Sequence, residues 1–229
     1  MQTAGTPQSV RRGTSPPSRL AAVPPTLDAL AWPVRTDRLV LRLATPADHP
    51  AVWRYRRLDE VTEWMSQREG DPETSRARFL EPERLATTLV VETGETVVGD
   101  LKCAVADAWS QVEVAEQARA TQAEIGWAFD PEHQGKGYAT EAVEALLRIA
   151  FDGLGVRRIE ANCFADNVPS WRLMERLGMR REIHSVGDSL HRSRGWLDGF
   201  TYALLAEEWA ASQSHQSGAN GRSTWSAPT

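Results

Sequence analysis

Two closely spaced glycines separate a strand pattern from the longest helix pattern of the chain. Residues 123–129 read as a strand, whereas residues 137–151 place apolar side chains on one helical stripe. Gly135 and Gly137 lack a Cβ atom, so the backbone can turn tightly there and direct its amides, with the first amides of the helix, at one spot. Because helix N-termini attract anions, the turn is predicted to bind phosphate, with Lys136 as a mobile cation at its rim.

Three interpretations of this glycine turn compete. A Walker loop requires the pattern GxxxxGK followed by Ser or Thr, which this segment lacks. A dinucleotide fingerprint is imitated weakly by Gly135, Gly137 and Glu160, but that motif belongs in a parallel sheet, and here the turn follows an antiparallel meander. From the turn alone, a helix start without any ligand stays as open as a phosphate site.

The remaining patterns predict one α/β domain on a mixed sheet. Thr45 and Pro46 open a helix whose inner side carries Ala47, Val52 and either Trp53 or Tyr55. The later predicted elements are a hairpin at residues 88–92 and 97–105, a strand at 158–163, a helix from 167 to 178, and two strands near 180–186 and 199–205. The order is strand, helices, three antiparallel strands, helix, strand, helix and hairpin.

Composition sets the boundaries of this domain and argues against several kinds of partner. Residues 1–31 form a basic tail rich in Pro and Ser, residues 212–229 form a second polar tail, and both are predicted to be disordered around a domain at 32–211. A net charge of −5 does not favour nucleic acid, and no apolar run is long enough for a membrane span, so we predict a cytoplasmic protein. Cys103 and Cys163 read as small buried side chains, and the scattered histidines predict no metal site.

The glycine turn also resembles a known family. Gln134, Gly137 and Ala139 match the [RQ]-x-x-G-x-[GA] acetyl-CoA signature of the GNAT family of N-acetyltransferases. The flanking segments are similar to the RimJ/RimL branch: these are residues 35–42, 124–127, 130–142, 167–170, 177–179, 196–198 and 208–209. The resemblance spans residues 33–211 and implies a central mixed sheet of six to seven strands. In that fold two parallel strands splay apart, with the pantetheine of CoA in the gap and its pyrophosphate on the glycine turn.

The resemblance implies which residues hold the co-substrate and which carry the chemistry. The residues implied in binding acetyl-CoA are Trp127, Ala128, Phe129, Gln134, Gly135, Lys136, Gly137, Tyr138, Ala139, Thr140, Asn162, Asn167 and Ser170. We expect Ser170 to hydrogen-bond or protonate the departing thiolate, although many family members use a tyrosine at the position that is Met174 here. Glu124 is our candidate base, with Glu160 a lesser one. Asn167 and Ser170 have a second interpretation as ordinary residues of a helix start.

We therefore expect an N-acetyltransferase that moves the acetyl group of acetyl-CoA to a primary amine by direct attack in a ternary complex. The acceptor is either a protein N-terminal α-amine or a small amine such as an aminoglycoside. A lysine amine is almost wholly protonated at neutral pH, so it needs a base more than an α-amine does. Two alternatives stay open, a non-catalytic acyl-CoA sensor and a transferase of another short acyl group. The acceptor pocket is expected to use residues 53–64, 107–119 and 194–200, with Asp198 as a lining candidate, and the late strands are compatible with a homodimer.

Overall fold

The computed structural model describes residues 25–219, with side chains up to Ser214, and its strands form one mixed sheet in the order β1-β2-β3-β4-β5-β6-β8-β7. The strands are β1 (Val34–Arg35), β2 (Val40–Leu43), β3 (Thr88–Thr93), β4 (Thr96–Ala106), β5 (Gln122–Phe129), β6 (Arg158–Phe164), β7 (Arg180–His191) and β8 (Gly195–Leu205). Neighbouring strands are antiparallel except for β5 and β6, which are parallel. The predicted mixed α/β sheet is confirmed, and the two-residue strand β1 brings its strand number above the expected six to seven.

Eight helices accompany this sheet within the described residues. They are α1 (His49–Arg56), α2 (Asp59–Thr62), α3 (Pro72–Phe79), α4 (Pro82–Thr87), α5 (Ala115–Ala118), α6 (Tyr138–Arg148), α7 (Val168–Arg176) and α8 (Ala206–Ala219). The predicted start of the first helix is confirmed, because Thr45 and Asp48 form a capping box around Pro46. Ala47 was wrongly expected on the inner side, since it lies in the exposed single turn that precedes α1. No helix within residues 25–219 is long and apolar enough to cross a membrane.

Side chains that alternate along the strands place apolar layers on both faces of the sheet. On β3, Leu89 and Val91 join the larger core, which contains the apolar stripe of α6, whereas Val90 joins a smaller core with Val52 and Tyr55 of α1. Successive strand residues point to opposite faces, so helices must cover both sides. The sheet is therefore the middle layer of three, and residues in its centre are removed from water.

The two ends of the described chain pack onto the larger core. Leu27 is buried, and its carbonyl oxygen accepts a hydrogen bond from the Trp32 indole at 2.7 Å. At the other end Trp209 of α8 stacks on Phe151 with ring centroids 6.0 Å apart. Residues near Leu27 therefore belong to the folded part and not to the predicted tail, and α8 continues to Ala219, past the boundary predicted at residue 211. The remaining parts of both predicted tails, residues 1–24 and 220–229, lie outside the described residues.

Candidate active site

A gap opens in the middle of the sheet because β5 and β6 stay paired over only three residues. Their parallel register runs from Gln122 opposite Arg158 to Glu124 opposite Glu160 and ends there. Strand β5 continues to Phe129 while paired with β4 alone. Beyond Glu124, alternate backbone N–H and C=O groups of β5 therefore face the gap instead of a neighbouring strand. The splayed pair implied by the resemblance is present.

The gap holds a cavity of about 740 Å³. Its walls come from Lys102 of β4, the splayed strands β5 and β6, the first two turns of α7, and a lid made of the segment after α2 together with the hairpin β7–β8. Among the predicted residues, the cavity is lined by Glu124, Trp127, Asn162, Asn167 and Ser170. The cavity thus brings together the residues predicted to act in catalysis and several of those predicted to contact the co-substrate.

The glycine turn lies at the N-terminus of α6, as the sequence predicted. Gly135 and Gly137 both have positive φ angles, of 73° and 79°, a conformation that strains residues with a Cβ atom. Gly137 is the N-cap residue, and because it has no side chain the first turn of α6 receives no side-chain cap. Gln134, Lys136 and the two glycines are exposed. The turn therefore offers uncapped amides to solvent at the positive end of an amphipathic helix.

The glycine turn is supported by an ion pair between Arg38 and Glu141, which the sequence patterns did not predict. The Arg38 side chain donates to the carbonyl oxygen of Lys136 at 2.8 Å and to the carboxylate of Glu141 at 2.7 Å, and its guanidinium lies 5.0 Å from the Tyr138 ring centroid. Burial opposes the charge of Glu141, but hydrogen bonds from Thr36 and Arg38 outweigh it and lower the pKa of this carboxyl group. The first strand region is thereby fixed to the glycine turn.

A second missed cation lies on α7. The Arg176 side chain donates to the Thr140 hydroxyl at 3.1 Å and is otherwise exposed. It brings a guanidinium to the first turn of α6, beside the uncapped amides. No pattern in the sequence marks this arginine, because the contact depends on how α6 and α7 pack across the sheet. With Arg38 and Lys136, three cationic side chains accompany the predicted phosphate site.

Ser170 and Asn167 occupy the predicted helix start, and both face the cavity. Asn167 is the N-cap of α7, and its Oδ1 atom accepts a hydrogen bond from the Ser170 amide at 3.4 Å. Burial raises the pKa of the neighbouring Cys163 thiol to about 11, a rise that the Ser170 side chain reduces. The thiol is therefore protonated at neutral pH and does not compete as a nucleophile. Cys103 is buried as expected, with its pKa raised to about 12 by burial.

The candidate base Glu124 is paired with a lysine. Its carboxylate lies 2.8 Å from the Lys102 ammonium, and both side chains are about half exposed, at 48%. Glu160, directly opposite in the sheet, is paired with Arg158 at 3.3 Å and does not line the cavity. The structure therefore separates the two candidate carboxylates: Glu124 is in the gap, and Glu160 is not.

The other predicted co-substrate residues lie in three places. Trp127, Ala128 and Phe129 form the stretch of β5 whose partner on the β6 side is missing. Asn162 is on β6, and its Oδ1 atom accepts the Thr201 hydroxyl at 2.6 Å. Tyr138, Ala139 and Thr140 form the first turn of α6, at the glycine turn instead of in the cavity.

A second cavity of about 480 Å³ adjoins the first. The two share wall residues Met65, Ser66, Lys102, Gly126 and Trp127, so they form a continuous cleft. Among the loops expected to bind the acceptor, the segment at Trp64 and the hairpin at Phe200 line the first cavity. The connection at residues 107–119 contributes to neither.

Two further polar clusters lie outside both cavities. Asp198 does not line either cavity, because its carboxylate pairs with His184 at 2.6 Å and accepts the Gly187 amide. Within the described part of the chain, Asp130, Glu132 and His133 bring three potential metal-ligand atoms within 4.8 Å of one another. Asp130 is already paired with Arg54 at 2.7 Å, so its charge is balanced without an ion.

Comparison with known proteins gives a consistent result. Residues 38–180 match the acetyltransferase (GNAT) domain. The chain is 44% identical over 86 residues to the uncharacterized N-acetyltransferase YnaD of Bacillus subtilis, an alignment that covers 38% of this chain and 50% of YnaD. A GNAT acetyltransferase structure from Bacillus anthracis has 30% identity and a TM-score of 0.65, covering 77% of this chain and 100% of that one. RimL, a ribosomal alpha-N-protein acetyltransferase in complex with coenzyme A, shares the fold at 17% identity with a TM-score of 0.63, covering 76% of this chain and 97% of that one.

Proposed function

Because the chain belongs to the GNAT family of acetyltransferases, we propose that it transfers the acetyl group of acetyl-CoA to a primary amine by direct attack in a ternary complex. The observation that carries this proposal is the gap between β5 and β6, which lies in the sheet directly before the chain turns into the glycine loop and α6. The unpaired backbone groups of β5 can bond to the amides of pantetheine, and the amides of the glycine turn can bind phosphate. These two parts of the protein are consecutive in its sequence.

The residues present fit acetyl-CoA at both of its ends. The uncapped first turn of α6, with Lys136 and Arg176 beside it, suits the negative charge of a pyrophosphate. The unpaired side of β5 from Trp127 to Phe129 suits the amide groups of pantetheine, which can bond to it as a strand would. The thioester would then lie in the cavity that Ser170 lines.

Within that cavity the chain supplies different help to the two reacting groups. Glu124 can accept a proton from the acceptor ammonium, directly or through water, because it is half exposed in the gap. The Lys102 ammonium lies 2.8 Å from this carboxylate and holds it in the gap. Ser170 can donate a hydrogen bond to the sulfur as the carbon–sulfur bond breaks. The neutral amine nitrogen bonds to the carbonyl carbon, the carbon–sulfur bond breaks, and the departing thiolate takes up the proton that the nitrogen loses, directly or through water, to leave as the CoA thiol.

Two acceptor classes remain within this proposal, a protein N-terminal α-amine and a small amine. An α-amino group has a pKa near 7.8 and is partly neutral at pH 7, whereas a lysine-like amine near 10.4 is not. A single half-exposed carboxylate is weak catalytic help, so a lysine-like amine should be turned over faster as pH rises. RimL, whose fold is shared, is an acetyltransferase of protein α-amines.

One observation favours a second candidate function, an acyl-CoA sensor without turnover. Met174 lines the cavity at the position where many members of the family have a tyrosine that protonates the thiolate. A thioether cannot donate a proton. If Ser170 does not substitute for that tyrosine, the chain would bind the co-substrate and leave it intact.

The glycine turn provides the test of co-substrate binding. Gly137→Val should weaken acetyl-CoA binding by at least about 30-fold, equivalent to ~2 kcal/mol, because a branched side chain is strained at this φ angle and would cover the amides. Gly155→Val is the matched control, since Gly155 has a similar φ angle of 69° and open space around it at the far end of the same helix. Isothermal titration of both variants measures the effect.

A second assay, which measures the release of free thiol from acetyl-CoA in the presence of a panel of amines, distinguishes an enzyme from a sensor. Normal acetyl-CoA affinity in Gly137→Val would contradict the assignment of the turn. Tight acetyl-CoA binding without thiol release from any amine would favour the sensor instead.

A further inference from the structure

The acceptor half of the cavity has an aromatic wall built before any ligand arrives. Trp64 and Phe164 form this wall, while Phe200 also lines the cavity but lies beside Cys163 on the opposite face of the sheet. Trp64 and Phe164 contact each other with ring centroids 5.9 Å apart, and both contact the buried His191 ring at 5.2 and 5.3 Å. Because His191 also lies 2.8 Å from the carbonyl oxygen of Glu63, the lid segment is fixed to the hairpin. The wall therefore has little freedom to rearrange.

Cations already cover the outer faces of two of these rings. The Arg194 guanidinium lies 4.7 Å from the Trp64 ring centroid, and Arg181 lies 4.5 Å from that of Phe200. A cation is attracted to the negative face of an aromatic ring, and one guanidinium makes the opposite face less attractive to another cation. The cavity sides of Trp64 and Phe200 are thus better suited to an apolar group than to a second ammonium.

The charges in the cavity point the same way. Three charged side chains line it within the described residues: Lys102, Glu124 and Asp188. Because Lys102 balances one of the two carboxylates, the cavity carries one net negative charge and can balance about one positive charge of a ligand. In the adjoining cavity, the buried carboxylates of Asp100 and Glu69 are already paired with arginines. A polyamine or an aminoglycoside brings several ammonium groups, and a buried ammonium without a carboxylate partner is strongly disfavoured.

Resting on the proposed acetyl transfer, we propose that the acceptor is a primary amine with one positive charge and an apolar body that packs on the wall of Trp64 and Phe164. Free arylalkylamines and polypeptides that begin with a large apolar residue share this chemistry. In both, the ammonium faces Glu124 and the apolar body faces the aromatic wall.

Two amines of matched length test the charge requirement. Hexylamine and cadaverine differ in that cadaverine has a second amine where hexylamine has its terminal methyl. With acetyl-CoA and the full chain, kcat/KM from thiol release should be at least about tenfold higher for hexylamine. Phenethylamine and a short peptide beginning with Phe distinguish a small amine from a polypeptide as the source, and spermidine and kanamycin should be poor acceptors.

Variants of the wall test the residues. Trp64→Ala should lower kcat/KM for hexylamine about tenfold and reduce its advantage over cadaverine, while the Kd for acetyl-CoA stays unchanged. Trp64→Phe should retain the preference, which guards against a lid that is merely misfolded. Trp109→Ala is the control, because Trp109 is 91% exposed and lines neither cavity.

The results of these tests distinguish a wrong acceptor class from a wrong proposed function. Faster turnover of cadaverine, spermidine or kanamycin than of the apolar amines would overturn the acceptor class while acetyl transfer stood. An unchanged preference in Trp64→Ala would overturn the role of the wall. Turnover of none of these amines, with normal acetyl-CoA binding, would overturn acetyl transfer and the acceptor class together.

Discussion

At the scale of single residues, the chemistry of the gap depends on two side chains from different elements. Glu124 belongs to β5 and Ser170 to α7, and the cavity between the splayed strands brings them into one space. Neither lies on the glycine turn, so neither contributes to the amides proposed to bind pyrophosphate. Losses of catalytic rate and of co-substrate affinity are therefore separable in this site.

Glu124→Gln and Ser170→Ala should each lower the rate of thiol release by about 10- to 1,000-fold, with acetyl-CoA affinity within a few-fold of the wild type. Glu124→Gln should regain rate as pH rises, because the amine loses its proton to solvent and no longer needs a carboxylate. Ser170→Ala should show no such recovery, since its role is toward the sulfur. Rate against pH with the best acceptor measures both.

Glu160→Gln is the matched control for the carboxylate. Glu160 lies opposite Glu124 in the register of β5 and β6 but outside the cavity, so the rate of this variant should match the wild type at every pH. If Glu124→Gln and Ser170→Ala also match the wild type across the pH range, amine positioning alone drives the reaction and both assignments are wrong.

Single residues differ in how well the sequence predicts them. The sequence predicted Gln134, Gly137 and the first turn of α6, because the turn, the motif spacing and the helix pattern are consecutive in the chain. Arg38 and Arg176 were not, because their contacts with the turn join segments that are far apart in sequence. The roles assigned to the predicted residues stay predictions, while their positions around one gap are visible in the structure.

At the scale of elements, periodic patterns predicted the strands that are buried on at least one face. The late hairpin is longer than predicted, since β7 and β8 continue to His191 and from Gly195. Strand β7 is exposed along most of its length and has irregular register with β8 at two places, so no apolar alternation marks it. Its length is set by pairing with β8, which a local pattern cannot show.

The N-terminal segment gives an element-scale prediction. Removal of residues 1–24 should leave the free energy of unfolding unchanged, whereas removal of residues 1–30 should lower it by about 2–5 kcal/mol, because Leu27 is buried in the larger core. Leu30 adds to this, since its side chain packs against Gly153. Denaturant unfolding of both truncations measures the difference. Equal stability of the two would show that these leucines contribute little.

At the scale of the whole molecule, stability should depend on pH through groups whose pKa values are lowered by folding. Burial lowers the pKa of His49 from its ordinary value of 6.5. For Asp48, burial opposes the charge, but hydrogen bonds from Arg42 and Thr45 outweigh it and lower the pKa below 3.8. Since the unfolded chain binds protons more readily at both groups, stability is full above each ordinary pKa and is lost as pH falls toward the folded value.

The free energy of unfolding should therefore begin to fall below about pH 6.5 and fall more steeply below about pH 4.5. His49→Gln should remove much of the first decline, because glutamine has no proton to gain. Urea unfolding between about pH 8 and pH 4 measures the curve. An identical pH dependence in His49→Gln and the wild type would contradict the assignment to His49.

The parting of β5 from β6 gives this sheet an edge in its interior. Alternate amides from residue 125 to 129 have no strand across from them, so their hydrogens should exchange with deuterium faster than those of Gln122 or Ala123, which lie where the two strands still pair. Acetyl-CoA should slow this exchange, and a peptide spanning β5 would show it by mass spectrometry. Equal deuterium uptake with and without acetyl-CoA would mean that the co-substrate does not bond to this edge. If uptake slows, the co-substrate acts as a ninth, transient strand, and each turnover closes and reopens the sheet.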